Sequence, residues 1–496
     1  MCPPKLYVRL ILCVVASVCA VGRSGAQGAP PRKQEPSFNA PTETKKWTGD
    51  LDELLKRRVI RVGVPYSKTL YYTVKGVQWG VAYEGGKELG NYLNRKYPQK
   101  DKNIKIHVMF FVTPRDEAVK RLNEGALDLL IAGLTITPER AKLMDFTIPT
   151  VEGVKEVVVT GPGAPELKTM EDLSGKEVFV RKTSSYWEHL EKLNKRLQEE
   201  KKAPVKVTAV PEDLADEDIL EMVNAGLLPT TVVNDWTAKL WGKLLTKEVV
   251  HQDLAVASNE SLGWAIRKNS PQFLGLLNEF LKTRKQGTKF GDEILTRYTG
   301  STYMLKQATS ETAMKQFEQT ASIFQKYAAE YKTDYLLMMA KGYQESGLNQ
   351  NAKSPVGAIG VMQLMPATGS EMKVGDIHQE AANIHAGIKY FYQMMTKLYG
   401  DEPMDDLNKI LFTFASYNCG PNRVKQLRAE AAKKGLDPNV WINNVEVIAS
   451  IRVGPETVNY VSNIYKYYVA YKLIAVQEEK RDKALEKLQQ LQQKPS

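Results

Sequence analysis

A chain of 496 residues is too long for one ordinary hydrophobic core and implies two or three domains. With 43% hydrophobic and 25% charged residues its composition is that of an ordinary soluble globular protein, not of a disordered chain. Lys and Arg outnumber Asp and Glu by 68 to 57, a formal charge of +11 that suits an anionic envelope polymer or a lipid headgroup layer. No Cys/His finger spacing or long basic arm accompanies that charge, so nucleic acid is not expected as a partner.

Lys5 and Arg9 precede an apolar run from Leu10 to Val21, and the small residues Ser24-Gly25-Ala26 follow. The run is short for a membrane span, which predicts an export signal over residues 1–26, cut near Ala26, with a retained anchor as the alternative. Cys2, Cys13 and Cys19 all lie there, leaving Cys419 alone and no internal disulfide. The stretch Val15 to Cys19 vaguely resembles a lipoprotein box, although Val18 is bulky where a small residue is wanted. Residues 27–50, rich in Pro, Lys, Glu and Thr, read as a flexible tether.

Strand and helix then alternate. A helix at Leu51 to Leu55 leads to a strand at Val59 to Val64, a helix at Tyr83 to Leu93, a strand at Ile104 to Phe110, a helix at Pro114 to Glu124 and a buried strand at Leu129 to Ala132. A second unit of the same style follows Pro149, with strands at Val154 to Val159, Glu177 to Arg181, Val205 to Val210 and Thr231 to Asn234, and helices at Tyr186 to Glu199 and Trp236 to Leu244. An edge-like strand around Leu262 to Arg267 leads to a helix from Pro271 to Arg284. The pattern predicts a two-lobed α/β domain over 51–300, lobe 1 at about 51–150 and 260–300, lobe 2 at about 151–259.

From about Ser310 the pattern turns to helices: Ala313 to Glu330, Tyr335 to Gln344, Glu380 to Leu398, Leu407 to Tyr417, Pro421 to Lys434, Val440 to Val447 and Glu456 to Val476. The domain boundary is placed between Tyr298 and Met314, where Gly300-Ser301-Thr302 allows a turn. A mainly α domain is thus expected over 310–476. The charged tail 477–496 is expected to be a solvated, fraying extension, because Leu485, Leu488 and Leu491 are too few for a coiled coil.

In the first domain, Thr137 caps a Pro-started helix whose first turn carries Arg140, and an Arg fork beside Thr hydroxyls suits a carboxylate. The surface-charge reading of Arg140 remains open on the residues alone. Leu129 to Phe146 resembles the most recognisable segment of the bacterial extracellular solute-binding proteins of the amino-acid type, a resemblance covering roughly Leu51 to Tyr298. It implies that Arg140 and Thr135 hold a ligand carboxylate, that Thr183, Ser184 and Ser185 donate to it, and that Asp235 takes the ligand amine. A helix N-cap is the competing role for Asp235.

In the helical domain, Glu345 lies at the end of an amphipathic helix whose apolar stretch includes Leu336, Leu337, Met339 and Ala340, surroundings that favour a proton-donating carboxyl. A loop punctuated by Gly357 and Gly360 follows and allows Gln363 to face a ligand while Met362 or Leu364 packs inward. Glu345-Ser346, Gly357 to Pro366, Ala415 to Asn418 and Glu456 to Val461 match, in order, the motifs of the soluble lytic transglycosylase domain, which has a lysozyme-like fold. The departures are Cys419, where Ala is common, and Val361, where Leu is common.

That resemblance covers about Thr320 to Leu473 and implies cleavage of peptidoglycan strands at the bond between N-acetylmuramic acid and N-acetylglucosamine. Glu345 is implied as the catalytic acid and then base, with Ser346, Met362, Gln363, Tyr417, Asn418 and Tyr460 binding or supporting the sugars. No metal or cofactor is expected. Together the modules resemble a family of two-module, membrane-associated lytic enzymes of the periplasm, at the inner face of a Gram-negative outer membrane. An amino acid or muropeptide is the expected regulatory ligand of the first cleft. A glycan receptor without catalysis and a hydrolytic muramidase are the alternatives.

Overall fold

The computed structural model describes residues 45–74, 77–164, 166–299 and 311–492. The expected signal, the Cys19 box, most of the tether and the Gly300-Ser301-Thr302 boundary lie outside them. The described end of the tether packs onto the first lobe, where Trp47 lies under the Arg57 guanidinium at 4.3 Å and its N–H donates to the Gly125 carbonyl.

Lobe 1 is built from α1 (Leu51–Arg57), β1 (Val59–Val64), a hairpin of β2 (Tyr72–Val74) and β3 (Val77–Trp79), α2 (Val81–Lys96), β4 (His107–Val112), α3 (Arg115–Asn123), β5 (Leu129–Thr135), the one-turn α4 (Pro138–Ala141) and β6 (Asp145–Phe146). Strand β7 (Val151–Thr160) crosses to lobe 2, which holds β8 (Glu177–Arg181), α5 (Ser185–Glu199), β9 (Lys206–Val210), α6 (Asp216–Asn224), β10 (Thr230–Asn234) and α7 (Asp235–Trp241). Strand β11 (Val249–Ile266) returns to α8 (Pro271–Leu281) and α9 (Lys289–Thr299). The strand order is β4-β1-β5-β11-β7-β10-β8-β9, with β6 paired to β11. Strand β1 runs parallel to both neighbours and buries Ile60, Val62 and Val64, as a central parallel strand must.

The strand expected at an edge proves central. Its end near Leu262 to Ile266 pairs with β5, while its beginning pairs with β7 from Val249 opposite Thr160, through several register shifts. One strand of 18 residues thereby serves both lobes. Only its lobe-1 end is continuously buried, so hydrophobic patterning detects that end alone.

The second half contains α10 (Glu311–Glu330), α11 (Tyr335–Ser346), α12 (Pro366–Met372), α13 (Glu380–Tyr399), α14 (Asp406–Cys419), α15 (Pro421–Lys433), a kinked turn at Trp441–Val445, α16 (Glu446–Arg452) and α17 (Pro455–Gln492). Its core is contiguous with one face of lobe 1 through Met109, Phe111, Leu122 and Leu130. Polar bonds reinforce that junction: Arg58 pairs with Glu446 at 2.5 Å and donates to Asn443, and Asn103 donates to the Ser450 carbonyl at 3.0 Å.

Helix α17 departs from the expected solvated tail. Its 38 residues continue past Val476, placing Ile474 in the lobe-1 core and Ala484 in a lobe-2 core, with Leu485 and Leu488 against the latter. Too few leucines for a coiled coil are enough to cover one small patch of a neighbouring lobe.

Candidate active site and inter-lobe cleft

Helix α11 starts at the cap Asp334, whose Oδ1 accepts the Leu336 N–H at 3.0 Å, and ends at Gly347 in the left-handed conformation, φ 65°. Helix α17 clamps its start, since the Tyr468 hydroxyl and Lys472 ammonium both donate to Asp334 Oδ2, at 3.0 and 2.7 Å. It also clamps the end, where the Tyr460 hydroxyl donates to Glu345 Oε1 at 2.5 Å. The same oxygen accepts from Lys341 Nζ at 3.0 Å. Among the described residues no hydrogen bond falls on Glu345 Oε2. The Glu345 side chain is 14% exposed, and its setting is more polar than the apolar surroundings the sequence suggests.

The Gly-punctuated loop is locked by the buried Asn383, which accepts from the Met362 N–H and donates to the Ile359 and Ile377 carbonyls. Gly360, at φ 78°, approaches Asn383 so closely that an added Cβ would lie 2.5 Å from its amide nitrogen. Ser346 donates to the Val361 carbonyl at 2.9 Å and so ties the helix end to the loop, without touching the carboxyl. Met362 is fully buried. Tyr417 donates to the Met362 carbonyl at 3.0 Å, and its ring carries the Lys341 ammonium 3.5 Å from the centroid.

Gln363, at φ 45°, donates to the Ala352 and Gly360 carbonyls. Asn418 accepts from Thr457 at 2.6 Å. Among the described residues, Tyr460 is the one of the six implied sugar-binding residues that hydrogen-bonds Glu345; Ser346, Met362, Gln363 and Tyr417 hold the loop, and Asn418 bonds Thr457 of α17. Val356 and Met365, both exposed on this loop, lie beside them. Lys341 and Asn383 belong to no motif of the sequence, yet both hold the site. Lys341 was detectable as a charge inside an apolar run, one helical turn before Glu345.

Between the lobes lies a cavity of about 270 Å³, lined among others by Thr135, Arg140, Thr183, Ser184 and Ser185. Arg140 does not stand free in it: Nε bonds Glu188 Oε1 at 2.9 Å, and the guanidinium also donates to the Thr183 carbonyl at 2.9 Å. Thr135 and Ser185 share a hydrogen bond of 2.9 Å across the cleft, and Ser185 donates to the buried Glu156 at 2.6 Å. Ser184 caps α5, and Thr183 is held by Glu212. Asp235 is not among the cavity-lining residues; its carboxylate accepts from the Trp236 N–H at 2.9 Å and from the Lys155 N–H at 3.4 Å. Among the described residues, the cleft wall presents buried polar atoms without hydrogen-bond partners: Arg181 Nε, Trp236 Nε1, Asn234 Oδ1 and Glu188 Oε2.

A model of bacterial extracellular solute-binding proteins, family 3, matches residues 65–301, and a model of the transglycosylase SLT domain matches residues 322–439. The protein named membrane-bound lytic murein transglycosylase F of Aeromonas salmonicida is 27% identical over 442 residues, 85% of this chain and 84% of its own. That of Serratia proteamaculans is 27% identical over 462 residues, 88% of each. Among solved structures, an ancestral amino acid-binding protein is 25% identical with a TM-score of 0.40, covering 50% of this chain and 98% of its own. Two family models in the same order, and relatives aligned across both, join the lobes and the helical domain in one enzyme. Along most of its length the chain is similar to proteins named membrane-bound lytic murein transglycosylase F, with a match to the family 3 solute-binding proteins followed by a match to the transglycosylase SLT domain.

Proposed function

We propose that the helical domain cleaves the β-1,4 bond between N-acetylmuramic acid and N-acetylglucosamine without water, leaving 1,6-anhydromuramyl ends. The observation that carries this reading is Glu345 itself, a partly buried carboxyl at a capped helix end, held through one oxygen by Lys341 and Tyr460. In the first half of the reaction Glu345 gives its proton to the glycosidic oxygen as the C1–O4 bond breaks, and the muramyl N-acetyl oxygen closes on C1. In the second half the C6 hydroxyl attacks C1, releases the N-acetyl oxygen and returns its proton to Glu345. Substrate assistance replaces the second carboxylate of ordinary glycosidases. Among the described residues, the hydrogen-bonding partners of Glu345 are Lys341 and Tyr460, with no carboxylate between them.

The lobes serve as the binding module for an amino acid or muropeptide, supported by the Arg140 cleft and its unpartnered donors and acceptors. The enzyme works in the periplasm, associated with the inner face of the outer membrane, in keeping with the name its relatives carry. No helix among the described residues is long and apolar enough to cross a membrane.

Digestion of purified peptidoglycan with mass analysis tests the chemistry, because an anhydro end is one water lighter than a reducing end. Glu345→Gln is expected to lower kcat at least about 100-fold with the fold retained. Reducing ends would instead make the enzyme a hydrolytic muramidase, and full cleavage by the folded Gln variant would remove Glu345 from the chemistry. Binding of glycan without any cleavage would leave a receptor.

A further inference from the structure

Lys341 is a residue of this site that the reaction chemistry does not call for. It lies within the stretch Leu336 to Gly342 that α11 buries, and none of its side chain is exposed. An ammonium in a core costs several kcal/mol unless it is partnered. Lys341 has two partners: Oε1 of Glu345 at 3.0 Å, and the face of the Tyr417 ring, 3.5 Å from its centroid. That ring is itself fixed, its hydroxyl on the Met362 carbonyl and Tyr390 of α13 edge-on against it at 5.4 Å.

The titratable groups around Lys341 are therefore Glu345 on its own helix, Tyr417 on α14 with Tyr390 behind it, and Tyr460 on α17, which shares Oε1. Burial pushes all three phenols up, so they stay neutral at working pH. Burial pulls the Lys341 ammonium below its ordinary value, and Glu345 acts against that pull. Among these groups Glu345 is the one counter-charge.

We propose that Lys341 is a positioning residue of the transglycosylase reaction: it holds Oε1, so that the proton travels on Oε2, and it faces the negative charge left on Glu345 once that proton has gone. The inference rests on Glu345 as the acid. During the first half the proton on Oε2 passes to the glycosidic oxygen, and the new carboxylate finds a cation one helical turn away. During the second half the C6 hydroxyl proton returns to Oε2. Lys341 neither gives nor takes a proton and, having no exposed surface, does not touch glycan.

The test is Lys341→Met in the full chain, assayed by release of anhydro-muropeptides from purified peptidoglycan across pH. The expected result is a kcat at least about tenfold lower with KM within about twofold, and an alkaline edge of the rate profile moved up by about one pH unit. The edge moves because a carboxyl that loses a cationic neighbour keeps its proton longer. Tyr460→Phe removes an uncharged donor from the same oxygen, so it lowers kcat and moves the edge up by less than Lys341→Met does. A wild-type profile in Lys341→Met, or a loss equal at every pH, overturns the proposal and makes Lys341 a packing residue. If the Met variant melts below the assay temperature, Lys341→Gln is read instead; a moved edge supports the proposal and an unmoved edge overturns it. Absence of anhydro product from the unsubstituted chain defeats the role of Glu345 first, which separates the two failures.

Discussion

Arg481 reaches Asp218 of lobe 2 with two bonds to the same oxygen, Nε at 3.0 Å and a terminal nitrogen at 2.6 Å. The Asp218 side chain is 3% exposed. Against the burial that would raise it, Arg481 holds the Asp218 carboxyl below its ordinary value, while burial pushes the adjacent Glu217 up. Helix α17 carries both Arg481 and the Tyr460 that bonds Glu345. One continuous rod therefore touches Glu345 at one end and the second lobe at the other.

Removing Arg481 leaves Asp218 buried beside Glu217 without its counter-charge. Breaking a buried pair from one side costs about 3–5 kcal/mol, and the partial exposure of Arg481 reduces this to about 1–3 kcal/mol. Arg481→Ala is expected to speed amide exchange in α6 and in residues 477–492, with the core of the helical domain unaffected. Unchanged exchange in α6 would show that Ala484, Leu485 and Leu488 hold the tail without the ion pair.

Lys466 sits where α17 crosses lobe 1, its ammonium 3.5 Å from His107 Nδ1. Burial lowers Lys466 from the ordinary 10.5 to about 8, and lowers His107 to about 3. Between pH 8 and 10.5 the unfolded chain binds more protons than the folded one, so stability rises with pH across that window; below it the cost of the buried charge is paid in full. Because part of the side chain reaches solvent, Lys466→Met is expected to stabilise the protein by only about 1–2 kcal/mol at pH 7. The gain should shrink to nothing near pH 10.5, as followed by thermal melting; a gain independent of pH would trace it to packing instead.

Most elements announce themselves in the sequence because their periodicity is local. Strand β1 begins and ends where alternation places it, and Asp334 and Gly347 bracket α11 with ordinary capping chemistry. The misses share a cause, which is dependence on distant partners. The polar beginning of β11 becomes strand only beside β7, and α17 is anchored beyond Val476 by surfaces more than two hundred residues away. At the site, motif order points to Glu345, and the positions around it also have packing and tethering roles that the motifs do not reveal. Met362 is core, Ser346 ties a helix to a loop, and Tyr417 supports an ammonium. Asp235 is not among the cavity-lining residues and accepts from the Trp236 N–H at the start of α7.

Arg140 is engaged by Glu188, so a carboxylate bound at Arg140 would compete with a carboxylate of the chain itself. Glu188→Gln is expected to bind amino acids or muropeptides more tightly by about 1–2 kcal/mol, and Arg140→Ala more weakly by about 2–4 kcal/mol, through gain or loss of a charge-assisted fork. Calorimetry on the three proteins with one ligand panel decides it. Equal affinity in all three would place the ligand away from Arg140.

The last expectation is that ligand in the cleft changes cleavage through α17. Lobe 1 is fixed to the helical domain by Arg58 with Glu446 and by a shared core, whereas lobe 2 meets α17 through Arg481 and the Ala484 patch. Movement of lobe 2 against lobe 1 must therefore either carry the end of α17 or release it. A pull along α17 bears on Tyr460 and on the Asp334 cap, the two clamps of α11, the helix that carries Glu345. Coupling of this kind requires that the ligand bind the active and inactive arrangements with different affinity. Rates on a soluble glycan, with and without a ligand shown by calorimetry to bind, are expected to differ for the full chain and to become equal in Arg481→Ala. A ligand effect that persists in Arg481→Ala would route the coupling through lobe 1. Equal rates in the unsubstituted chain with ligand bound would reduce the lobes to a tether that raises local substrate concentration.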